Sequence, residues 1–260
     1  MELGLKQKVA LVTGSSRGIG RAIASELAAE GARVMLAGRD EAALAEAAAA
    51  IEKAGGEAGL HAGDLREPAE AGRLLAALEA RFGALDILVN NAGATKRGDF
   101  FALSEADWQD GFALKFFAHV RLARAAWPLL QASKGAVLAI VGVGGRTPSA
   151  DFTIGSSVNA ACLAFTKALA DIGKSCGVQV NAINPGAVET ARFRRNLEAL
   201  MAKSGLDEAA ARERHRAEHG STRIGQPADI AGLASFILSP RGRWLHGAIV
   251  DMDGGQTRTL

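Results

Sequence analysis

The chain has no tyrosine, so no phenol is available anywhere in it as a proton donor or acceptor. Cysteine is scarce as well. The 2 present, Cys162 and Cys176, show no metal-ligand spacing and read as small apolar core or interface residues rather than a redox pair. Proline is limited to 6 residues while glycine reaches 31, a balance that fits neither a disordered nor a collagen-like chain. A formal net charge of only +2 calls for neither nucleic acid nor an acidic membrane as partner. No apolar run approaches the roughly 18 residues of a membrane span. The stretch Met1 to Val9 has no apolar leader region, and a reducing, cytoplasmic home is the expectation.

What is present is a hydrophobic fraction of 48% in 260 residues, enough for a sizeable core. Short apolar runs alternate with segments of helical period along the whole chain. The runs are Val9–Val12, Val34–Ala37, a weak one around Leu60, Ile87–Val89, Ala136–Val141, Val178–Ile183 and a late Ala248–Val250. Between them lie the predicted helices Ile19 to Ala29, Asp40 to Ala54, Glu67 to Phe82, Ser104 to Leu130 and Phe152 to Lys174. A last helix, Pro227 to Leu238, has its proline suited to a first turn. The alternation predicts one α/β domain over residues 1–260: a Rossmann-type, doubly wound parallel sheet with helices on both faces. The Ala-rich tract at 42–50 reads as a solvated helix.

The first strand runs into Thr13-Gly14-Ser15-Ser16-Arg17-Gly18-Ile19-Gly20, with a helix behind it. Gly14 permits the tight turn. Gly18 and Gly20 let backbone approach a pyrophosphate and let the helix pack on the sheet, while the helix N-terminus offers unpaired N–H groups. Ser16, Arg17 and Ile19 belong to the same loop, and the strand–loop–helix context points to a dinucleotide.

The spacing TGxxxGxG, with further motifs in order, resembles the short-chain dehydrogenase/reductase family over nearly the whole chain. Asn90-Asn91-Ala92-Gly93 is similar to that family's NNAG. Asp64, with Leu65 beside it, matches the adenine-contacting segment. Asn184-Pro185-Gly186 and Thr190 match the segment beside the nicotinamide, and Asp253-Gly254-Gly255 the C-terminal DGG. The resemblance thus implies cofactor contacts from Asp64, Leu65, Asn91, Ala92, Gly93, Pro185, Gly186 and Thr190. At the end of the second strand the acid of the NAD pattern is replaced by Gly38, followed by Arg39. With Arg17 nearby, two guanidiniums and no carboxylate favour the 2′-phosphate of NADP(H) over NAD(H).

The family's catalytic pattern does not carry over. It uses an Asn on the fourth helix, a Ser after the fifth strand, and Tyr and Lys four residues apart on the fifth helix. By ungapped comparison Lys115 stands for the Asn, Gly142 for the Ser, Gly155 for the Tyr and Asn159 for the Lys. Lys and Asn have changed places. One reading makes Lys115 a desolvated proton donor or oxyanion partner, with Asn159 beside it. The alternative has Lys115 snorkelling to solvent or pairing with Asp110 or Asp151. Thr153, Ser156, Ser157 and Asp151 flank the vacated Tyr position and read as capping or packing groups. Gly142 and Gly155 are expected to enlarge the pocket.

Residues of about 190–226 form a long insert that, by the resemblance, is a helical substrate lid. It carries Arg192, Arg194, Arg195, Lys203, Arg212, Arg214, Arg216 and Arg223 among five acids. It is either laced with salt bridges or presents Arg192, Arg194 or Arg195 to an anionic substrate. His215 and His219 stand at i,i+4, but no third ligand is evident and no metal is expected.

These readings converge on an NADP(H)-dependent oxidoreductase with an atypical acid/base and a small-molecule substrate. Two alternatives remain open: a non-catalytic NADP(H)-binding sensor or partner subunit, and a lyase or isomerase without net redox. The resemblance further implies a homotetramer or homodimer formed through the fourth and fifth helices.

Overall fold

The computed structural model describes residues 2–259. Seven strands, β1 Val9–Thr13, β2 Arg33–Gly38, β3 Glu57–Ala62, β4 Ile87–Asn90, β5 Ala136–Ile140, β6 Gln179–Pro185 and β7 Ile249–Met252, form one sheet in the order β3-β2-β1-β4-β5-β6-β7. Every pairing is parallel. Parallel strands need both faces covered, and β1 shows how the sequence meets that need. Val9 and Leu11 pack into one core, Ala10 and Val12 into the other.

The helices α1 Gly18–Ala29, α2 Glu41–Lys53 and α9 Pro227–Leu238 cover one face through Ile23, Leu27, Leu44, Ile51, Ile230 and Ile237. The other face is covered by α3 Glu70–Phe82, α5 Ala118–Ser133 and α6 Thr153–Lys174, through Leu74, Leu78, Leu122, Leu130 and Leu169. The strand order reverses between β1 and β4. A crevice therefore opens at the carboxyl ends of the strands, where β1, β4, β5 and β6 all deliver their loops.

Two elements differ from the sequence expectation. The weak third strand is a full six-residue strand at the sheet edge. Its signal is faint because Leu60 faces outward and is 36% exposed. The single long helix from Ser104 is instead α4 Glu105–Phe112, a π-helical turn Ala113–Phe117, and α5. Ser104 caps α4 in a reciprocal box with Asp107. A π turn adds a residue without stopping the helix, so apolar periodicity conceals it while the side chains on it are re-aimed. Here the turn buries Leu114 and Lys115.

Between β6 and α9 the chain makes an excursion of two helices, α7 Ala191–Ser204 and α8 Glu208–His219. Thr190 and Asp207 cap them. They share a small core of Phe193, Leu197 and Ala211. The excursion leaves and rejoins the body at one point, where Val188 pairs with Gly225.

Candidate functional site

The loop after β1 is held from below. Thr13 Oγ1 accepts from the backbone N–H of Asn91 and of Ala92, both at 3.0 Å, and donates to Val89 O at 3.2 Å. Ser15 Oγ accepts from Ala37 N at 2.9 Å. The Asn91 side chain turns back to donate to Thr13 O (2.9 Å) and Gly14 O (3.2 Å). It thus braces the loop. Gly20 is obligatory, since a Cβ there would lie 2.3 Å from Gly14 O. Gly14 and Gly18 take φ of 64° and 60°, a region that side chains disfavour.

Helix α1 starts at Gly18 with no side-chain cap and no acid in its first turn. By contrast α2, α7 and α8 are capped by Asp40, Thr190 and Asp207. An uncapped N-terminus behind a glycine-rich loop is a cradle for an anionic phosphate. The residues present therefore fit a dinucleotide pyrophosphate. The methyl of Thr190 lies 3.4 Å from where a Gly18 Cβ would be, so Thr190 borders this cradle.

At the β2 end, Ser16 Oγ sits 3.8 Å from the Cβ position of Gly38. Arg39 approaches Asp64 at 3.8 Å, and Arg17 and Arg39 are both exposed. Burial pushes the Asp64 carboxyl up. Hydrogen bonds from the Arg66 backbone and guanidinium, with the charges of Arg66 and Arg39, outweigh it and leave the carboxyl below the usual range. Leu65 is buried in the core, so it offers the crevice backbone only.

At the other end the centre is Lys115. It is 8% exposed, and its ammonium donates to Val141 O at 2.6 Å. Asp110 and Asp151 are engaged elsewhere, by Arg66 and by Arg97, so neither expected acid partners it and it does not snorkel. Burial pulls its pKa down to about 8; Cys162 opposes the shift, and the nearby Arg192 charge adds a smaller push in the same direction as burial. The lysine stem lies under Gly93, whose Cβ position is 2.9 Å from Lys115 Cδ. One turn on, His119 is buried and bonded through Nε2 to Ala92 O at 3.3 Å. Burial first, then the Lys115 charge, lowers its pKa to about 3 despite the Ala92 carbonyl, so it is neutral at working pH.

Asn159 is buried, with Nδ2 3.4 Å from Gly142 O and Oδ1 without a partner among the described residues. Gly142 N donates to Asn184 Oδ1 at 3.3 Å. Asn184 Nδ2 donates to Asp251, which also pairs with Arg146 at 2.6 Å. This chain pins the loop after β5 to β7. Pro185 and Gly186 end β6 against Asp253, 2.8 Å from a Gly186 Cβ position.

The expectation that both glycines enlarge the pocket fails at one of them. The Phe152 ring fills the space beside Gly155, its Cζ 2.0 Å from the Cβ position. Arg97 stacks on that ring at 3.9 Å while paired to Asp151 at 2.8 Å. Gly142 meets only Asn159 Nδ2 at 3.3 Å and Pro185 O at 3.9 Å. Thr153 and Ser156 hydroxyls are buried without partners among the described residues. Sequence reasoning missed Arg97, Phe152 and His119. A ring three residues before a helix glycine was the available signal for Phe152.

On the two-helix excursion, Arg194 pairs with Glu189 at 3.3 Å, while Arg192, itself exposed, donates to Gly93 O at 2.6 Å. His215 and His219 stack on each other. No cluster of metal-ligating side chains occurs among the described residues, and no helix among them is long and apolar enough to cross a membrane.

Comparison with known proteins agrees with this geometry. The short chain dehydrogenase family profile matches residues 8–200. An uncharacterized oxidoreductase of Mycobacterium tuberculosis is 35% identical, over 97% of this chain and 93% of its own. The L-sorbose reductase of Gluconobacter frateurii, solved with NADPH and L-sorbose, superposes with a TM-score of 0.96 at 32% identity, covering 100% of both chains. A 3-oxoacyl (acyl-carrier-protein) reductase of Agrobacterium tumefaciens, solved with NADP bound, gives 0.89 at 31% identity, over 97% of this chain and 95% of that one.

Proposed function

The chain belongs to the short-chain dehydrogenase family, and from that premise we propose an NADP(H)-dependent oxidoreductase in which Lys115 supplies the proton that no tyrosine can. The observation that carries this reading is the buried ammonium of Lys115, facing a backbone carbonyl and no carboxylate. Bound NADPH supplies hydride to a carbonyl carbon, or NADP+ accepts it from an alcohol.

The chain's own residues divide the remaining work. Gly14, Gly18, Ile19 and Gly20 present backbone N–H groups to the pyrophosphate. Ser16, Arg17 and Arg39 face the 2′-phosphate, and Asp64 with the Leu65 backbone takes the adenine. Ala92, Gly93, Pro185, Gly186 and Thr190 line the nicotinamide end, with Asn91 bracing the loop they share. The unpartnered Asn159 Oδ1 suits a ribose hydroxyl. Lys115 gives its proton to the carbonyl oxygen as the alcohol forms, becomes a neutral amine, and is recharged from water. In the oxidative direction the amine takes the hydroxyl proton.

A pKa near 8 matches such a donor to a working pH near neutrality. Gly142 and Gly155 stand where the family places Ser and Tyr, and the Phe152 ring at Gly155 leaves no room for a phenol. Helices α7 and α8 serve as the substrate lid. The exposed Phe117, at the end of the π turn before α5, and Ile172, on α6, suit a homodimer or homotetramer interface.

Loss of NADPH absorbance over a panel of aldehydes and ketones, with wild type and Lys115→Ala, tests the reading. The expected result is turnover by wild type, none by the variant, and equal NADPH affinity in both. Full turnover by Lys115→Ala would discard Lys115 as the acid. NADPH binding with no turnover by wild type would favour the sensor reading.

A further inference from the structure

Seven arginines lie between Thr190 and Pro227. Five are neutralised: Arg194 and Arg212 by Glu189, Arg214 by Glu218, Arg216 by Glu213 and Arg223 by Asp229. These five account for the salt-bridge-laced character of the excursion. Arg192 and Arg195 differ. They sit three residues apart on α7, a spacing that places them on neighbouring surface. Neither forms an ion pair with a described residue.

The direction of Arg192 matters as much as its lack of a partner. Its Nη2 donates to Gly93 O at 2.6 Å, and the Lys115 stem lies under the same Gly93. Two cationic side chains thus contact one glycine, with no carboxylate paired to either. Arg97 cannot be counted as a third free charge, since Asp151 and the Phe152 ring engage it. Clustered, partly desolvated cations raise the free energy of a site until an anion arrives. A guanidinium with most of its donors unused is the fork that binds carboxylate or phosphate oxygens.

We propose that Arg192, supported by Arg195, is the anion-binding residue of this site, and that the substrate is a carbonyl compound with a carboxylate or phosphate a few bonds from the reacting carbon. This deepens the oxidoreductase reading and rests on it. The cofactor's phosphates have their own sites at the α1 N-terminus and at Arg17 and Arg39. Arg192 is tied instead to the residue over Lys115, so the anion is placed beside the proton donor.

The experiment measures binding and turnover together on the NADPH-loaded protein. The probes are pyruvate, acetoacetate and levulinate, their methyl esters, and dihydroxyacetone phosphate. Wild type is expected to bind at least one anionic probe and to reduce it in preference to the neutral esters. Whether an oxo acid or the ketose phosphate binds more tightly identifies the anion. Arg192→Met is expected to weaken that probe's Kd by about 10- to 100-fold, the range for losing hydrogen bonds to a charged group. Its NADPH Kd should stay that of wild type, its loss on the neutral esters should be much smaller than on the anionic probe, and Arg192→Lys should recover part of the loss.

The proposal is overturned if Arg192→Met weakens NADPH by the same factor, because the anion is then the cofactor's. It is also overturned if anionic probes bind the variant as tightly as wild type, or if none binds wild type. Arg192-dependent anion binding without any NADPH consumption would leave the clamp standing and remove the hydride-transfer reading.

Discussion

Replacing Lys115 with methionine should make the protein more stable at neutral pH while abolishing carbonyl reduction. The ammonium is buried and its pKa falls from 10.5 to about 8. At about 1.4 kcal/mol per pH unit, burying the charged form costs about 3 kcal/mol. Methionine keeps the length and most of the volume of the stem. It loses the bond to Val141 O, which returns about 1 kcal/mol. The net gain at pH 7 is about 2 kcal/mol.

The sign follows from proton uptake. Between the folded pKa and the unfolded one, the unfolded chain holds more protons at this lysine, so wild-type stability rises with pH across that window. The advantage of Lys115→Met should therefore be full below pH 8, shrink from about 8 to 10.5, and vanish or reverse above it. Urea unfolding of both proteins at matched pH values measures the difference, and groups common to both cancel. A variant less stable than wild type at pH 7, or a difference that stays constant from pH 7 to 10.5, would refute the argument. A site residue whose removal stabilises the fold is the trade between stability and activity expected where a charge is held against solvation.

Other outcomes follow from particular contacts. Gly155→Ala puts a methyl about where the Phe152 ring sits, forcing the ring and its Arg97 stack to move. Thermal unfolding should show a loss of about 1–3 kcal/mol, partly recovered in Gly155→Ala/Phe152→Ala; additivity of the two changes would sink this account. Arg39→Asp should weaken NADPH by roughly 10- to 100-fold by calorimetry and spare NADH, whereas equal losses would remove Arg39 from the 2′-phosphate site. His119, held neutral with a pKa near 3, stabilises the fold above its unfolded value of 6.5, and that contribution is lost as pH falls toward 3. His119→Gln should flatten acid unfolding in that window, and an unchanged acid profile would speak against the burial argument.

The doubly wound sheet was legible because β1, β4 and β5 are almost continuous apolar runs, as two covered faces require. The glycine turn after β1 was legible because Gly14, Gly18 and Gly20 answer local constraints that only glycine meets. The π turn was not, since inserting one residue leaves the apolar pattern from Ser104 onward nearly intact, yet this turn aims Lys115 inward. Phe152 at Gly155 could not be foreseen from the glycine alone, because an absent side chain signals space or a neighbour that fills it equally well. The arginines of the two-helix excursion divide by partner choice: Arg194 and Arg192 stand two residues apart in sequence, and only α7's orientation sends one to Glu189 and the other to Gly93.

The most direct test is the pH dependence of kcat in both directions with NADPH and NADP+. If Lys115 is the acid and base, reduction is constant below about pH 8 and falls above it, oxidation rises through the same value, and Lys115→Met shows no turnover at any pH with its cofactor affinity intact. Profiles that are flat from pH 7 to 10, or that persist unchanged in Lys115→Met, would contradict the account.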